Sequence, residues 1–445
     1  MLRYLLADVG STFTKLTAVD EEGRILAQAS SATTIATNVM EGFSLAQAEI
    51  IRQSGCNDFT LLACSSAAGG LAMVASGLVP ELTGQAAKLA VLGAGAKVLD
   101  VLGFRLNPDE LARLATADML MLAGGTDGGN RHILLENAEL LAKSCPPLPV
   151  VLAGNKECVH QAAAILREAG FAVKITANVM PQLGKLNIEP AREAIRELFL
   201  SHIVAAKGMG QLNSMLASPI MPTPAAVLAG GRLAAQDYPE LLIIDIGGAT
   251  TDIYSFGANI TPPGVMRRGF TPPREMRTVE ADIGMRYSLE TLVEQAGIEE
   301  LLAGSPHREA WQQELTLLLN EPERLVPPEL ANLETALARA GVRLAVARHG
   351  GSLEQVWTPA GAVNVLSGKD LSGIRTIIGV GGALVNSQIP REILAGALGP
   401  HPEKLLPAAP EFMLDSKYIM AAAGLLAEVA PAAARGLLKE SLCTV

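Results

Sequence analysis

Cysteine and long apolar runs are scarce in this chain of 445 residues, and each scarcity excludes a class of protein. No run of about eighteen apolar residues is present to cross a bilayer, so the sequence does not predict a membrane-spanning protein. The five cysteines are scattered, odd in number and free of Cys-x-x-Cys pairs, which disfavours a disulfide framework or a zinc site. The six histidines are equally dispersed, which disfavours catalysis by a histidine-bound metal.

Positive charge is also in short supply, because 35 basic residues stand against 45 acidic ones and give a net charge of −10. Such a surface repels phosphate backbones and anionic lipids, so nucleic acid and membranes are disfavoured as partners. The first residues hold no long apolar segment before Asp8, which disfavours a secretory signal. The scattered cysteines are expected to be reduced thiols, and together with these features they predict a cytoplasmic protein.

Aliphatic side chains and glycine are what the chain has in quantity. Hydrophobic residues form 49% of it, aromatic residues only 4%, and there are 43 glycines. A chain of this length ordinarily folds into two or three domains. Aliphatic strands and helices joined by tight glycine turns are typical of α/β proteins, so α/β is the predicted fold class.

A short pattern occurs twice, about half the chain apart. Residues 5–15 read LLADVGSTFTK and residues 242–252 read LIIDIGGATTD. Each is an apolar segment that continues as Asp-x-Gly-x-x-x-Thr, and the alignment places Asp8 on Asp245. The apolar residues beyond each turn predict that the strand returns as an antiparallel hairpin.

Both copies have the chemistry of a phosphate-binding turn. Glycine lets backbone N–H groups approach an anion, nearby hydroxyl groups add donors, and the aspartate can hold Mg²⁺ through water molecules. Two such turns facing one another would bind a polyphosphate from both sides. A third glycine cluster, at residues 378–383, supports the same interpretation.

These three elements resemble, in chain order, the two phosphate motifs and the adenosine motif of the superfamily of actin, sugar kinases and DnaK-type chaperones. The resemblance implies two lobes of ribonuclease-H-like (actin-like ATPase) fold with ATP and Mg²⁺ between them. It implies that Asp8 and Asp245 orient the metal and the attacking water or hydroxyl through water molecules. The residues implied to contact the phosphates are Gly10, Ser11, Thr12, Thr14 and Lys15 in the first turn and Gly247, Gly248, Thr250 and Thr251 in the second. Those implied to lie against adenine and ribose are Gly379, Gly381 and Gly382.

Two shorter segments resemble other parts of the chaperone branch. Residues 187–190 read Asn-Ile-Glu-Pro, like the opening of its interdomain helix, which would place Glu189 near the metal's waters as a catalytic residue. An acid in the first turn of a helix is also favourable with the helix dipole alone, so both interpretations stay open. Residues 280–284 read Glu-Ala-Asp-Ile-Gly and resemble the turn that follows the second hairpin in that branch. A functional role for Glu280 and Asp282 and a role in helix capping both stay open.

Four longer phrases narrow the resemblance to the glutamate mutase (methylaspartate mutase) accessory protein L family. They are ACSSAAGG at 63–70, AGGTDGGN at 123–130, NIEPAR at 187–192 and RTVEADIGMR at 277–286. The resemblance covers nearly the whole chain and implies an ATP-driven chaperone that maintains or reactivates an adenosylcobalamin-dependent mutase. It implies the mutase subunits as partners and allows a homodimer. The short name of this family is also used for a DNA mismatch-repair protein, which is a different protein. The net charge of −10 argues against a DNA partner for this chain.

Two other functions stay open on the sequence alone. A small-molecule kinase of the same fold would need a positioned Asp base for a substrate hydroxyl, and no such base is evident. A scaffold or filament protein would use the nucleotide only to switch its assembly.

The expected organisation is two lobes with insertions. The first lobe is expected over residues 1–190, with an inserted β-α-β-α-β unit at about 115–180. Interdomain helices are expected over residues 191–235. The second lobe is expected over residues 236–445, with a mostly helical insertion at about 285–370.

Three further features have both a structural and a functional interpretation. Residues 123–130 fit a tight turn, or a second loop that contacts phosphate or a partner. Lys156 fits a solvated lysine at a helix start, or a phosphate contact. Four arginines fit a solvated loop, or a grip on an acidic partner; they are Arg267, Arg268, Arg274 and Arg277.

Overall fold

The computed structural model describes residues 3–10, 13–34, 37–66, 71–203, 208–303, 305, 307–359, 361–398 and 403–445. The chain divides into two compact units. The first comprises Met1–Gly230 and Ala421–Leu437, and the second comprises Gly231–Met420 and Leu438–Val445. No helix in the described part of the chain is both long enough and apolar enough to span a membrane.

The first unit begins with an antiparallel meander that continues into a parallel pair. Its elements are β1 (Tyr4–Val9), β2 (Phe13–Val19), β3 (Ile25–Ala32), α1 (Val39–Ser54) and β4 (Thr60–Ser65). β1 pairs with β2 and β2 with β3 in antiparallel fashion, whereas β4 runs parallel to β1. Most of β1 is buried, as its aliphatic run predicts for a central strand. The side chain of Asn38 caps the start of α1 by accepting the N–H of Met40.

A wholly parallel sheet follows β4. Its elements are β5 (Ala72–Gly77), α2 (Gln85–Gly93), β6 (Lys97–Gly103), α3 (Pro108–Leu111), β7 (Met119–Leu122), α4 (His132–Ser144), β8 (Val150–Leu152), α5 (Val159–Glu168) and β9 (Val173–Ile175). The strand order is β6-β5-β7-β8-β9. The order reverses beside β5, as in doubly wound sheets. The sequence predicted only the last three strands of this sheet, as a β-α-β-α-β unit. Strands β5 and β6 were not predicted.

The first sheet is completed by a strand far along the chain. The next elements are α6 (Glu189–Ile203), α7 (Met209–Met215), β10 (Met221–Pro222) and α8 (Thr223–Ala234). β10 runs parallel to β4, so the sheet has the order β10-β4-β1-β2-β3. The parallel sheet that contains β5 to β9 is therefore an insertion between two neighbouring strands of the first sheet.

The second unit repeats this design. Its first elements are β11 (Leu241–Ile246), β12 (Thr251–Phe256), β13 (Val265–Arg268), β14 (Glu275–Glu280), α9 (Leu289–Ala296), α10 (Ile298–Ala303), α11 (Arg308–Asn320) and α12 (Ala331–His349). They are followed by β15 (Ser352–Thr358), β16 (Gly361–Ser367), β17 (Thr376–Val380), α13 (Gly382–Val385), α14 (Pro390–Leu394) and β18 (Glu411–Asp415). The chain ends with α15 (Met420–Ala427) and α16 (Pro431–Ser441), most of which belong to the first unit, and with β19 (Leu442–Thr444) of the second.

Strand order confirms that the chain contains a duplicated fold. The main sheet of the second unit has the order β14-β12-β11-β17-β18-β19, and β13, β16 and β15 form a small separate sheet. From β14 to β18 it has three antiparallel strands and then two parallel ones, as the first sheet does from β3 to β10. This is the ribonuclease-H-like order, so the predicted α/β fold class is confirmed. Helices α9 to α12 share one apolar core with this sheet.

The interpretation of the four arginines as a solvated loop is wrong for three of them, which lie on strands; Arg274 is exposed in the loop between those strands. Val265–Arg268 and Glu275–Glu280 are strands β13 and β14. Arg277 on β14 is 3% exposed and pairs with Asp252 at 2.6 Å. The sequence did not predict these strands because prolines flank them and their side chains are charged. An arginine can be buried on a strand only where a carboxylate pairs with it, and that partner is not evident from the local sequence.

Candidate functional site

The first predicted phosphate turn joins β1 to β2. The N–H of Gly10 donates to the carbonyl oxygen of Phe13 at 3.0 Å. A Cβ on Gly10 would lie 2.8 Å from that oxygen, which explains why glycine begins the turn. Two of the predicted contacts, Ser11 and Thr12, lie outside the described residues. Lys15 is partly buried on β2, directly opposite the predicted metal-binding residue Asp8.

The second turn joins β11 to β12 and repeats this geometry. The N–H of Gly247 donates to the carbonyl oxygen of Thr250 at 2.9 Å, and a Cβ on Gly247 would lie 3.1 Å from that oxygen. Within the described residues, no hydrogen bond takes the N–H groups of Gly248, Ala249 or Thr250. Such backbone N–H groups are the donors that an anion-binding turn offers.

The segment that follows β14 supports the second turn from behind. The carbonyl oxygen of Gly248 accepts the N–H groups of Arg286 and Tyr287, at 2.8 and 2.9 Å. The hydroxyl of Ser288 donates to the carbonyl oxygen of Ala249 at 2.7 Å. A Cβ on Gly284 would lie 2.5 Å from the Ala249 carbonyl carbon, so this segment needs a glycine to approach the turn. The segment that reads RTVEADIGMR in the sequence therefore packs against the second turn and holds it in place.

Glu280 and Asp282 bind an arginine instead of capping a helix. The guanidinium of Arg348 lies 2.7 Å from a carboxylate oxygen of each. The hydrogen bonds from Arg348 lower the pKa of Asp282. Both acids therefore tie the end of β14 to α12.

The carboxylate of Asp8 is held by one residue on the neighbouring strand β4 and one at the start of helix α8. Cys64 lies opposite Asp8 in the pairing of β1 with β4, and its thiol donates to Oδ1 of Asp8 at 3.4 Å. The hydroxyl of Thr223, the first residue of α8, donates to the same oxygen at 2.8 Å. Burial raises the pKa of Cys64 well above its usual value, so the thiol stays a protonated donor. Thr223 was missed by the sequence reasoning, and its one local signal is the Thr-Pro pair that typically begins a helix.

Asp245 has different neighbours in the second unit. It lies opposite a second aspartate, Asp252, where the first turn has Lys15 opposite Asp8. Asp252 is 8% exposed, and its two oxygens accept from Arg277 at 2.8 Å and from Thr250 at 3.3 Å. Asp252 was also missed, although it directly follows the repeated pattern, at the position that Lys15 has in the first copy.

This donor set fits a magnesium ion held through water. Two facing carboxylates concentrate negative charge, and oxygen donors are what Mg²⁺ prefers. Asp252 is partly neutralised by Arg277, which leaves Asp245 as the candidate for the metal's waters. Within the described residues, no group of three or more His, Cys, Asp or Glu side chains is placed to bind a metal directly.

Thr14 and Thr251 occupy equivalent positions, and both are fully buried. The hydroxyl of Thr14 lies 2.9 Å from the hydroxyl of Thr33. The hydroxyl of Thr251 donates to the carbonyl oxygen of Ile283 at 3.0 Å. Because both hydroxyls bind the protein itself, we assign these two threonines a structural role beside the turns.

The three glycines of the predicted adenosine motif have three different surroundings. Gly381 has φ of +101°, and its Cβ would collide with the Ile246 carbonyl oxygen and lie 2.9 Å from Oδ1 of Asp245. A Cβ on Gly379 would meet methyl groups of two packed leucines at 3.1 Å. A Cβ on Gly382 would meet its nearest neighbour only at 3.7 Å. Gly381 alone is thus placed against the site aspartate, whereas Gly379 serves helix packing.

Glu189 begins α6 and is bound to a neighbour on the same helix. Its carboxylate lies 2.5 Å from the guanidinium of Arg192, and its side chain is 66% exposed. Arg192 is buried against Gly93 of α2. No described contact joins Glu189 to Asp8, whose nearest donor from a helix start is Thr223. The contacts of Glu189 fit the interpretation as a first-turn acid.

The AGGTDGGN loop is built around two buried asparagines. The amide of Asn155 donates to the carbonyl oxygens of Gly129 and Asn130, at 3.2 and 3.3 Å. The amide of Asn178 donates to the Gly125 carbonyl oxygen at 3.0 Å and to Asp127 at 2.9 Å. The loop follows β7, at the carboxyl edge of the inserted parallel sheet. These bonds favour a tight, fully supported turn.

The lysine predicted beside this loop is solvated. The ammonium of Lys156 lies 4.0 Å from a carboxylate oxygen of Asp127, and its side chain is 72% exposed.

A family model described as MutL protein matches residues 4–442 of this chain. The chain belongs to the MutL protein family. A curated relative, Protein MutL of Clostridium tetanomorphum, is 43% identical over 459 aligned positions, which cover 99% of each chain. The resemblance to the glutamate mutase accessory protein L family is thereby confirmed, and the two turns described above belong to a MutL protein.

Three solved structures that are similar to this MutL protein each have 14% sequence identity or less. Nucleotide-free acetone carboxylase matches with a TM-score of 0.42 and 13% identity, over 96% of this chain and 70% of that chain. The activator of the 2-hydroxyisocaproyl-CoA dehydratase from Clostridium difficile, with bound ADPNP, matches with a TM-score of 0.34 and 12% identity, over 99% and 97%. Xylulose kinase from Rhodospirillum rubrum matches with a TM-score of 0.37 and 14% identity, over 100% and 93%.

Proposed function

We propose that this MutL protein binds and hydrolyses Mg-ATP and uses the cycle as a chaperone that maintains or reactivates an adenosylcobalamin-dependent mutase. The observation that carries the nucleotide part is the repetition of one turn, with an aspartate before it, in two sheets of the same topology. Family membership supports the mutase subunits as partners. The proposed place of action is the cytoplasm.

In this proposal, both backbone N–H groups and charged side chains bind the phosphates. The N–H groups of Gly248, Ala249 and Thr250 donate to phosphate oxygens, and Lys15 adds a positive charge beside the first turn. Asp8 and Asp245 hold water molecules of the metal and orient the water that attacks the terminal phosphate. When bound, Mg²⁺ neutralises charge that develops on the phosphates.

ATP hydrolysis by substituted proteins tests the nucleotide part. Asp8→Asn and Asp245→Asn keep the shape of the side chain and remove its charge, so each is expected to lower kcat at least about tenfold. Asp58→Asn, at an exposed aspartate outside both turns, is the matched control and is expected to match the unsubstituted protein. Unchanged hydrolysis in either turn variant would remove the proposed site.

A binding experiment with a mutase tests the partner part. Purified glutamate mutase subunits are mixed with the protein and ATP, with ADP, or without nucleotide, and the retained complex is measured. Nucleotide-dependent binding and faster recovery of inactivated mutase are the expected results. Stoichiometric phosphorylation of a sugar or short acid, with no effect of the mutase, would instead identify a small-molecule kinase.

A further inference from the structure

We infer that Thr223 is a positioning residue for the proposed nucleotide site, because its hydroxyl holds the carboxylate of Asp8 in one orientation. The inference rests on the proposed function and adds to it a residue that lies outside both turns and the glycine motif.

The hydrogen bonds to Asp8 are asymmetric. Thr223 donates to Oδ1 at 2.8 Å, and Cys64 donates to the same oxygen at 3.4 Å. No hydrogen bond from the described residues reaches Oδ2 of Asp8. Two donors on one oxygen fix the rotation of the carboxylate and leave the other oxygen for a water molecule of the metal.

Thr223 contributes more to this arrangement than Cys64 does. A hydroxyl is a strong donor, whereas a thiol is a weak one, and a bond to a charged acceptor magnifies the difference. The thiol of Cys64 is fully buried and is the weaker of the two donors. Loss of the Thr223 hydroxyl is expected to free the carboxylate to turn.

Rigid elements fix the place of Thr223. It follows β10 directly, and Pro224 restricts the next backbone torsion at the start of α8. Gly95, with φ of +96°, lets the neighbouring loop approach so closely that a Cβ there would lie 2.7 Å from Cβ of Pro222. Further along α8, a Cβ on Gly424 of α15 would collide with the Ala226 carbonyl oxygen. A functional group on such packed elements is held more accurately than one on a loop.

The second unit does not repeat this contact. The residue that follows β18, which corresponds to β10, is Ser416, and its hydroxyl donates to the carbonyl oxygen of Ser441 at 2.7 Å. The duplicated fold therefore does not by itself require a hydroxyl at this position to bind the aspartate. Thr223 belongs to the first site specifically.

Kinetics of ATP hydrolysis as a function of Mg²⁺, with separate measurement of ATP affinity, test the inference. Thr223→Val keeps the size of the side chain and removes the donor. It is expected to lower kcat, or to raise the Mg²⁺ concentration for half-maximal rate, by about ten- to a hundredfold. The Kd of ATP is expected to stay within about threefold, because the phosphate donors are intact. Thr223→Ser restores the donor and is expected to recover most of the rate.

A second buried threonine provides the matched control. Thr83 is 4% exposed, and its hydroxyl accepts the N–H of Val79 at 2.9 Å in the inserted part of the first unit. Thr83→Val is expected to change stability and to leave kcat and the Mg²⁺ dependence unaltered. If Thr223→Val does not fold, Thr223→Ala takes its place in the comparison with Thr223→Ser.

Two results would overturn the inference. One is wild-type kcat and Mg²⁺ dependence in Thr223→Val. The other is a Thr223→Ser protein as impaired as Thr223→Val, since a merely structural role would not depend on the donor. A protein that neither binds nor hydrolyses Mg-ATP without any substitution gives a third, distinct result, which refutes the proposed function itself.

Discussion

Substitution of Gly381 by alanine is expected to destabilise the second unit and to disturb Asp245 at the same time. The residue has φ of +101°, which L-amino acids adopt at a cost of about 1–3 kcal/mol. The new Cβ would collide with the carbonyl oxygen of Ile246, inside the sheet, and overpacking of this kind costs about 1–3 kcal/mol more. The sum, about 2–6 kcal/mol, is a large part of the usual free energy of unfolding.

The same Cβ would lie 2.9 Å from Oδ1 of Asp245, closer than ordinary contacts allow. Relief of that contact requires the carboxylate to move, so ATP hydrolysis is expected to fall even at temperatures where Gly381→Ala is folded. Urea unfolding measures the first effect, and ATP hydrolysis by the folded protein measures the second.

The next residue provides a matched control. A Cβ on Gly382 would meet only the amide nitrogen of Asn386 at 3.7 Å, which is an ordinary contact. Gly382 is the first residue of α13, where alanine is a better helix former by up to about 1 kcal/mol. Gly382→Ala is therefore expected to be as stable as the unsubstituted protein or slightly more stable. Equal unfolding curves for the two variants would refute the reasoning about Gly381.

Two further predictions concern buried charge in the second unit. Arg277→Met leaves Asp252 buried without its guanidinium partner, so the free energy of unfolding in urea is expected to fall by about 3–5 kcal/mol; a fall below about 1 kcal/mol would contradict the assignment. Burial, with the nearby charge of Lys369, lowers the pKa of His349 from 6.5 to about 3, so the unfolded chain binds this proton before the folded one does. Stability from this residue is present above pH 6.5 and is lost as the pH falls towards 3, by about 1.4 kcal/mol per unit. His349→Gln is expected to lose that slope between pH 4 and 6, whereas His132→Gln, at an exposed histidine, is expected to keep it.

Local sequence patterns predicted the hairpins because the information lies within a few residues. The repeated Asp-x-Gly pattern gave the two antiparallel pairs, in which Asp8 faces Lys15 and Asp245 faces Asp252. The α/β fold class followed from aliphatic strands and glycine turns. The proposed site residues stay predictions until the substituted proteins are measured.

Features that depend on contacts between distant parts of the chain could not be predicted from the sequence. Nothing near Thr223 indicates that its hydroxyl binds an aspartate 215 residues away. Thr14 and Thr251 align in the two turns, yet the hydroxyl of the first lies against Thr33 and that of the second donates to the carbonyl oxygen of Ile283. Strand β14 was hidden because the charge of Arg277 is acceptable only beside Asp252.

The late position of β10 has a consequence for how the protein is made. β4 is an inner strand of the first sheet, but β10, which pairs with Cys64 and Ser65 at its end, follows the whole inserted parallel sheet in the chain. During synthesis β4 leaves the ribosome long before β10, so its outer edge stays unpaired in that interval. Unpaired strand edges bind readily to other chains. The inserted sheet has its own apolar core, so it can fold during that interval. A nascent chain that ends before Met221 would therefore hold Asp8 in an unfinished sheet that is prone to aggregation.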